Sequence, residues 1–288
     1  MSLRIYLTGS IAVELDGVVA IRERELRGKQ GRLAFAYLVC QRTRPVSREE
    51  LAALLWPEDM PPAWQVGLSA ILSKLQRLLA SGPLKAAGVA LSKGIGQYQM
   101  VLPVDTWIDL ETCASALDEA EGSWRAGAPG SILRPATVAA TIAGRPFLPG
   151  IEGEWADSQR RRLERQHVRS LECLAHMWIA NGEPALAIET SSKAVALDPF
   201  RESSHQLLMR AHAAGGNRPE AIRAYQRLRS LLAVELGTEP SAETEGSASG
   251  SPVPVALGPR HCERCEAISS RRRDRFALLA TTWAKLAP

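Results

Sequence analysis

The chain has 288 residues, of which 45% are hydrophobic and 23% charged, enough apolar material for about two packed domains. It carries 35 Lys+Arg and 31 Asp+Glu, a net charge of +4, and the excess lies in residues 1–105, which hold 13 basic and 9 acidic side chains. So small an excess permits binding to a polyanion but does not establish it. No segment reaches the roughly 18 apolar residues of a membrane span, and no signal-peptide pattern is present. We therefore expect a cytoplasmic protein with no membrane partner.

The first predicted elements are short strands. Apolar residues alternate with polar or small ones from Leu3 to Leu7, and Asp16-Gly17 is typical of the turn in a β-hairpin. Residues 29–42 follow as a helix whose middle is apolar on all sides, which predicts a position at the centre of a domain. The chain therefore begins with a small antiparallel sheet and a buried helix.

Two further helices are predicted close together. One covers 48–55, because Ser47 and Glu50 form a capping box and Pro57 disfavours helical geometry at the preceding residue. The other covers 61–80, with Pro61-Pro62 in its first turn. Two helices joined by a short turn are typical of helix-turn-helix proteins.

The helix predicted at 61–80 has two different faces. At 100° per residue, leucines form one narrow stripe, which contains Leu68, Leu72, Leu75 and Leu79. The opposite face has small, hydroxyl and basic side chains and no carboxylate; it comprises Val66, Ser69, Ala70, Ser73 and Arg77, with Lys74 and Gln76 at its edges. Such a face can lie against phosphates and base edges, which favours a DNA-recognition helix. An ordinary amphipathic helix of a packed domain is the other interpretation.

Residues 84–103 are predicted to return to strand. Two alternating runs, 89–92 and 97–101, flank the glycine-containing turn Lys93-Gly94-Ile95-Gly96, which indicates a hairpin. The predicted order of sheet, three helices and hairpin is that of a helix-turn-helix with a wing.

Four segments of this region match a known pattern: 28–32 (Gly-Lys-Gln-Gly-Arg), 45–52 (Pro-Val-Ser-Arg-Glu-Glu-Leu-Ala), 55–57 (Leu-Trp-Pro) and 73–79 (Ser-Lys-Leu-Gln-Arg-Leu-Leu). On these segments, residues 1–105 resemble the winged-helix DNA-binding domain of OmpR-type response regulators. They resemble even more closely that of the SARP family of bacterial pathway-specific transcriptional activators. The family usually has Ser-Arg-Leu-Arg in the last segment. Here Lys74 and Gln76 replace both arginines; Lys lacks the bidentate fork of arginine, and Gln lacks its charge.

The second half of the chain contains an internal repeat. From 155 to 236 the sequence is helical, and a glycine, an alanine and an isoleucine recur 34 residues apart, which is the tetratricopeptide period. The two copies are Gly182, Ala187, Ile188 and Gly216, Ala221, Ile222. A degenerate third copy is assigned to 105–142, which includes helices predicted at 105–122 and 135–142, or to the long helix from Trp155.

Further segments extend the resemblance: Trp155 with 160–163 (Arg-Arg-Arg-Leu), 207–211 (Leu-Leu-Met-Arg-Ala), 219–225 (Pro-Glu-Ala-Ile-Arg-Ala-Tyr) and 235–240 (Glu-Leu-Gly-Thr-Glu-Pro). They resemble the bacterial transcriptional activator domain that follows the winged helix in SARP proteins. We therefore predict a mainly α fold with a small α+β N-terminal part. Residues 1–105 are the winged helix-turn-helix domain, 106–245 the tetratricopeptide-like α-helical repeat domain, and 246–288 a linker and tail.

The five cysteines fall into two groups. Cys40, Cys113 and Cys173 lie in apolar helical surroundings and are predicted to be buried free thiols. Cys262 and Cys265 form a single Cys-x-x-Cys, for which a chance pair in a divergent tail and a zinc ion shared between two chains are the open interpretations. No catalytic triad, HExxH, P-loop or Rossmann motif is present, so neither enzymatic activity nor a cofactor is predicted.

A basic segment lies near the start of the repeat region. We interpret Arg160-Arg161-Arg162, with Arg165 and Arg169, as a solvated helix face paired with Glu164 and Glu172 and not as a DNA contact.

The resemblance implies a sequence-specific DNA-binding activator of a biosynthetic pathway of the secondary-metabolite type, found in the cytoplasm with the nucleoid. Its implied partners are promoter DNA with direct repeats, RNA polymerase holoenzyme and a second copy of the chain on DNA. The residues predicted to contact DNA are Gln65, Val66, Ser69, Ala70, Ser73, Lys74, Arg77 and Lys93. The alternative is a tetratricopeptide-type interaction scaffold or sensor whose winged helix no longer binds DNA, which the weak basicity and Gln76 favour.

Overall fold

The computed structural model describes residues 1–26, 28–80 and 82–249. The strands are β1 (Leu3–Tyr6), β2 (Ala12–Leu15), β3 (Val18–Arg22), β4 (Val46–Ser47), β5 (Ala90–Lys93), β6 (Gln97–Val101) and β7 (Trp107–Ile108). The helices are α1 (Gly28–Cys40), α2 (Arg48–Leu55), α3 (Trp64–Leu79), α4 (Gly82–Ala86), α5 (Asp109–Arg125), α6 (Leu133–Ala143), α7 (Glu154–Ala180), α8 (Pro184–Leu197), α9 (Glu202–Ala214), α10 (Arg218–Glu235) and α11 (Ala242–Ser249). Short 3-10 helices lie at Glu23–Leu26 and Pro129–Ser131.

The N-terminal sheet has the strand order β3-β2-β1-β7. The predicted hairpin is confirmed, since β2 and β3 are antiparallel and Asp16 and Gly17 both have positive φ, 50° and 82°. Those dihedrals match the right-handed twist of the strands that they connect. On the other side β1 pairs in parallel with β7, which places Ile5 opposite Ile108.

The second sheet has the order β4-β6-β5 and contains the predicted wing. Strands β5 and β6 form an antiparallel hairpin in which Leu91 lies opposite Met100, and both side chains are buried. Strand β4, just before α2, pairs with β6 and so fixes the hairpin to the helices. The prediction of strand from residue 84 was wrong, because α4 occupies Gly82–Ala86 and β5 begins at Ala90.

Helices α1, α2 and α3 form the predicted three-helix core. The Ser47 hydroxyl accepts a hydrogen bond from the Glu50 amide (3.0 Å), which caps α2 as its sequence indicates. Helix α3 begins at Trp64, so the predicted start in the Pro61-Pro62 pair was wrong. The Trp64 amide bonds the Pro61 carbonyl (2.9 Å), so these prolines shape the turn before the helix.

The helix predicted from residue 105 begins later, at Asp109, because Trp107 and Ile108 extend the first sheet. The buried Asp109 carboxylate accepts hydrogen bonds from the Leu7 and Thr8 amides and from the Thr8 hydroxyl, each 2.8 Å long. These bonds join the N-terminal sheet to the first helix of the repeat region.

One hydrophobic cluster runs from Leu3 in β1 through α1, α3, α5 and α6 to Met177 in α7. The aromatic rings of Tyr37 and Trp155 meet edge to face within it, with centroids 5.0 Å apart. The residues of this cluster belong to one compact unit. The division into domains at residue 105 therefore stays a prediction, since the core continues across it.

The 34-residue repeat corresponds to two packed helix pairs, α7 with α8 and α9 with α10. The repeated glycines, Gly182 and Gly216, both have φ of 74° and end the first helix of each pair. The repeated alanines, Ala187 and Ala221, are buried at the start of each second helix. A preceding pair, α5 with α6, packs against α7. It lies in 105–142, the first of the two positions predicted for the degenerate copy.

Candidate nucleic-acid interface

Helix α3 turns its leucine stripe fully into the core. Leu68, Leu72, Leu75 and Leu79 are between 0% and 2% exposed. The interpretation of this stripe as a core contact is confirmed. Because the side chains of a helix occupy fixed angular positions around its axis, burial of this stripe leaves the side chains of the opposite face outside the core.

The outer face of α3 is the surface that the sequence analysis assigned to DNA. Its exposed members are Gln65, Val66, Ala70, Ser73 and Arg77, while Ser69 and Lys74 are half-buried. No Asp or Glu occurs anywhere in α3. Lys93 is exposed at the end of β5, next to the exposed wing residue Ile95. The structure thus places all eight candidates on or near the surface, and their contact with DNA stays a prediction.

Gln76 lies between the outer face of α3 and the wing. Its side-chain amide donates to the Leu91 carbonyl of β5 (3.3 Å), and the residue is half-buried. This residue therefore fastens α3 to the wing and does not belong to the free outer face.

The structure adds Arg48, which the sequence analysis did not select. Its guanidinium donates to the Ser69 hydroxyl (3.1 Å) and to the Gln65 carbonyl (3.2 Å), and its backbone amide donates to the Gly96 carbonyl of the wing (3.1 Å). One residue at the start of α2 thus contacts both α3 and the wing. The only sequence signal is an arginine directly after the capping Ser47.

Ser69 is already engaged by these contacts. Its hydroxyl donates to the Gln65 carbonyl (2.6 Å) and accepts from Arg48. A hydroxyl has one proton and two lone pairs, so one acceptor position is left for a donor on DNA. Among the candidates, Ser73 and Arg77 are the more available side chains, although the Arg77 Nε also contacts the Ser73 carbonyl (3.4 Å).

The start of α2 is fixed to α1 by a small charged cluster. The Glu50 carboxylate binds Arg44 (2.9 Å to Nη1) and also accepts from the Tyr37 hydroxyl. The hydrogen bond from Arg44 lowers the pKa of Glu50, and burial raises the pKa of Tyr37. This cluster holds α2, and with it Arg48, in a defined position beside α3.

The basic segment of α7 is arranged differently from the prediction. Arg161, Arg162 and Arg165 are exposed as expected, but Arg160 donates to the carbonyls of Phe147 (3.0 Å) and Leu148 (2.7 Å). It therefore fixes the apolar turn before α7.

The predicted partner Glu172 pairs with Arg201 of the next repeat (2.8 Å). Arg169 pairs with Glu121 of α5 (2.7 Å). The expected pairing of the basic segment with Glu172 was wrong, because Arg201 occupies that carboxylate. Within α7, Arg160 pairs with Asp157 instead.

No group of three or more potential metal ligands occurs within the described ranges, and Cys262 and Cys265 lie outside them. Cys113 and Cys173 are buried free thiols, as predicted, whereas Cys40 is half-buried. Burial raises the pKa of Cys113 to about 11 and that of Cys173 to about 12, so neither is a ready nucleophile. Among the helices of the described residues, none combines the length and the apolar character that a membrane span requires.

A winged helix joined through one core to stacked helix pairs defines a class of winged-helix proteins with a helical repeat. Residues 108–248 match the family model of the bacterial transcriptional activator domain. With the relatives described next, this match supports the predicted resemblance to the SARP family of bacterial transcriptional activators.

Two curated relatives are regulatory proteins. Regulatory protein AfsR of Streptomyces coelicolor is 28% identical over 214 residues, which cover 73% of this chain and 20% of AfsR. Transcriptional regulatory protein MoaR1 of Mycobacterium tuberculosis is 26% identical over 214 residues, which cover 73% of this chain and 68% of MoaR1. The match thus spans only about a fifth of the length of AfsR.

A solved structure of Mycobacterium tuberculosis EmbR in complex with a low-affinity phosphopeptide has the same fold. The TM-score is 0.75 at 21% sequence identity, over 96% of this chain and 70% of that chain. The prediction of a mainly α fold, with a winged helix followed by tetratricopeptide-like helices, is confirmed.

Proposed function

We propose that this protein is a sequence-specific DNA-binding transcriptional activator whose α3 enters the major groove. The observation that carries the proposal is the division of α3 into a fully buried leucine stripe and an outer face without a carboxylate. A helix of this kind can approach DNA closely without repelling the phosphates.

Each outer side chain has a role that its chemistry fits. Lys74 and Arg77 neutralise phosphates, and Gln65, Ser69 and Ser73 hydrogen-bond base edges or phosphate oxygens. The exposed methyl groups of Val66 and Ala70 contact thymine methyls. Lys93 contacts the backbone or minor groove from the wing.

We propose the partners from the family. The protein binds direct repeats in promoters, which places two copies head to tail, and assists RNA polymerase holoenzyme at genes of a biosynthetic pathway. Support comes from the matched activator domain and from the relatives, which are named as regulatory proteins. The winged helix and the repeats share one hydrophobic core. This shared core supports a coupling in which a contact made by the repeats affects the position of the winged helix.

The test is fluorescence anisotropy with a duplex from the promoter region beside the chain's own gene, at several salt concentrations. The Lys74→Ala/Arg77→Ala variant should bind at least tenfold more weakly. Its plot of log affinity against log salt should be shallower by about 1.8, since each lost phosphate contact contributes about 0.9.

The matched control is Arg125→Ala/Arg161→Ala, which removes the same charge from exposed positions of α5 and α7. Circular dichroism confirms that both variants are folded. Equal promoter affinity of the two double variants would contradict the assignment of α3 to DNA.

A scaffold or sensor whose winged helix has lost DNA binding is the second candidate. It is favoured by the engagement of Gln76 with the wing and by the occupied hydroxyl of Ser69. The same titration decides between the two functions. Absence of binding to any duplex at low salt would support the scaffold.

A further inference from the structure

A cleft of about 480 Å³ lies where β3 leads through the first 3-10 helix into α1. Three arginines, one carboxylate, one hydroxyl and one glycine line it: Arg22, Arg24, Arg32, Glu23, Ser10 and Gly28. Its volume falls within the roughly 300–1,000 Å³ of small-molecule sites. The lining carries three positive charges and one negative charge, so the cleft is basic. We call it the arginine cleft.

The motif at 28–32 helps to build this cleft. Gly28 has φ of 72°, a left-handed conformation that favours glycine, and it turns the chain into α1. Gly31 has no room for a side chain, because a Cβ there would lie 1.8 Å from the Leu26 carbonyl oxygen. The two glycines therefore let the preceding chain pass directly against the first turn of α1. This close approach brings the arginines before α1 into one cleft with Arg32.

Glu23 holds the cleft together. Its carboxylate accepts hydrogen bonds from the Ser10 hydroxyl (2.8 Å) and the Ile11 amide (3.2 Å), and it pairs with the Arg32 guanidinium. Burial alone would raise the pKa of Glu23, and these hydrogen bonds lower it instead, so the carboxylate is ionised at neutral pH. Since Arg32 neutralises this charge, Glu23 leaves the other two arginines of the cleft uncompensated.

Arg22 and Arg24 supply the free positive charge. Both side chains are exposed, and neither guanidinium has a hydrogen bond or an ion pair within the described residues. The neighbouring Glu25 carboxylate accepts from the Arg22 backbone amide (2.7 Å) and not from its guanidinium. An exposed arginine is ordinarily a solvated surface charge. These two differ because they line the same cleft as Arg32.

The cleft is remote from the parts of the winged helix that hold α2 and the wing. These contacts lie at the other end of α1, where the Tyr37 hydroxyl donates to Glu50 and the Gln99 amide donates to the Arg42 carbonyl (3.0 Å). Helix α1 has 13 residues, which corresponds to about 20 Å. No residue of α3 lines the cleft. A ligand of the cleft is therefore expected to be distinct from DNA bound by α3.

We propose that the arginine cleft binds a small phosphorylated anion. Guanidinium groups match the oxygens of a phosphate group geometrically and keep their charge at any physiological pH. Arg22 and Arg24 bind the phosphate oxygens, and Arg32, which is fixed by Glu23, lines the cleft beside them. The proposal does not depend on DNA binding by α3.

The test is isothermal titration calorimetry of the full chain with inorganic pyrophosphate, at low and constant ionic strength and without divalent cations. Citrate is the comparison anion, because it carries carboxylates and no phosphate. The cleft variant is Arg22→Gln/Arg24→Gln. The matched control is Arg125→Gln/Arg161→Gln, which removes the same charge from exposed positions of α5 and α7. Circular dichroism confirms that each variant is folded.

We expect the wild-type protein to bind pyrophosphate more tightly than citrate. The cleft variant should bind pyrophosphate at least about tenfold more weakly, since two charge-assisted contacts are lost, and the control should stay within twofold of wild type. The promoter affinity of the cleft variant should also stay within twofold. Lys74→Ala/Arg77→Ala should keep its pyrophosphate affinity, which separates a failure of this proposal from a failure of DNA binding.

No measurable binding of pyrophosphate by the wild-type protein, or an equal loss in the cleft variant and its control, would overturn the proposal. Citrate binding as tight as that of pyrophosphate would identify a general anion site and exclude the phosphate assignment. Loss of pyrophosphate binding in Lys74→Ala/Arg77→Ala would place the anion on α3. A tenfold loss of promoter affinity in the cleft variant would assign its arginines to the DNA backbone and would likewise overturn the proposal.

Discussion

Replacement of Arg48 by alanine tests whether α3 is held in place for DNA by its neighbour. The change removes the guanidinium bonds to the Ser69 hydroxyl (3.1 Å) and the Gln65 carbonyl (3.2 Å) but leaves the backbone bond to Gly96. The first turn of α3 would then lose its side-chain connection to α2, while the leucine stripe keeps the helix folded.

The expected magnitude follows from these two bonds. A hydrogen bond from a charged donor contributes about 1.5–3 kcal/mol when buried, but Arg48 is half-buried, so water recovers part of that loss. We expect about 1 kcal/mol in the DNA complex, or roughly fivefold in Kd. If Arg48 also contacts a phosphate, the salt slope should fall by about 0.9 as well.

The assay is a double-mutant cycle with Arg48→Ala, Ser69→Ala and the combined variant, measured by anisotropy on the promoter duplex. Because Arg48 acts partly through Ser69, the combined loss should be smaller than the sum of the single losses. Arg24→Ala, an exposed arginine in the first 3-10 helix, controls for loss of charge. Simple additivity together with an unchanged salt slope would refute a positioning role for Arg48.

The remaining predictions concern the core. Asp109→Ala leaves the buried amides of Leu7 and Thr8 without an acceptor, so the free energy of unfolding in urea should fall by about 2–5 kcal/mol. The control is Asp118→Ala, at an exposed position of the same helix, which should change the free energy of unfolding by less than about 0.5 kcal/mol. Equal effects of the two variants would contradict the reasoning. Cys113 and Cys173 should resist alkylation by iodoacetamide at pH 8 until urea is added, because burial raises the pKa of both thiols. Mass spectrometry of the peptides measures the labelling, and rapid labelling of the native protein would disprove the protection of these thiols.

Several elements follow directly from local sequence. The leucine spacing of α3 predicts its buried face, and the Asp16-Gly17 pair predicts the first hairpin, because both depend only on helical periodicity or on turn geometry. The Ser47 cap and the 34-residue period are likewise visible in the sequence. The resemblance to the SARP family was recognisable for the same reason, since its motifs coincide with these local signals.

Element boundaries were less predictable where a distant strand or turn intervenes. Residues 107 and 108 have helical neighbours, yet they pair with β1, a strand about a hundred positions earlier. The start of α3 moves past Pro61-Pro62 because the prolines form a turn before it. Local propensity contains no information about a strand or turn partner that lies far away in the sequence and comes close only in the folded chain.

Long-range ion pairing was beyond the sequence for a related reason. Spacing within α7 suggested that its arginines pair with Glu172, but that carboxylate binds Arg201 and the serines at the start of α9. Burial alone would raise the pKa of Glu172, and the hydrogen bonds and charge of these partners lower it instead. Interhelical geometry, not spacing along one helix, selected the partner.

The sequence by itself determined the first hairpin, the Ser47 cap, the buried face of α3 and the 34-residue period, because hydrophobic periodicity and turn chemistry act between near neighbours. Only the tertiary structure decided the state of each arginine. Arg48 reaches α3, Arg160 fixes the turn before α7, and Arg201 binds the Glu172 carboxylate of α7. The physical reason is that the free energy of a charge depends on its desolvation and on the acceptors within about 4 Å, and the packing of distant helices sets both.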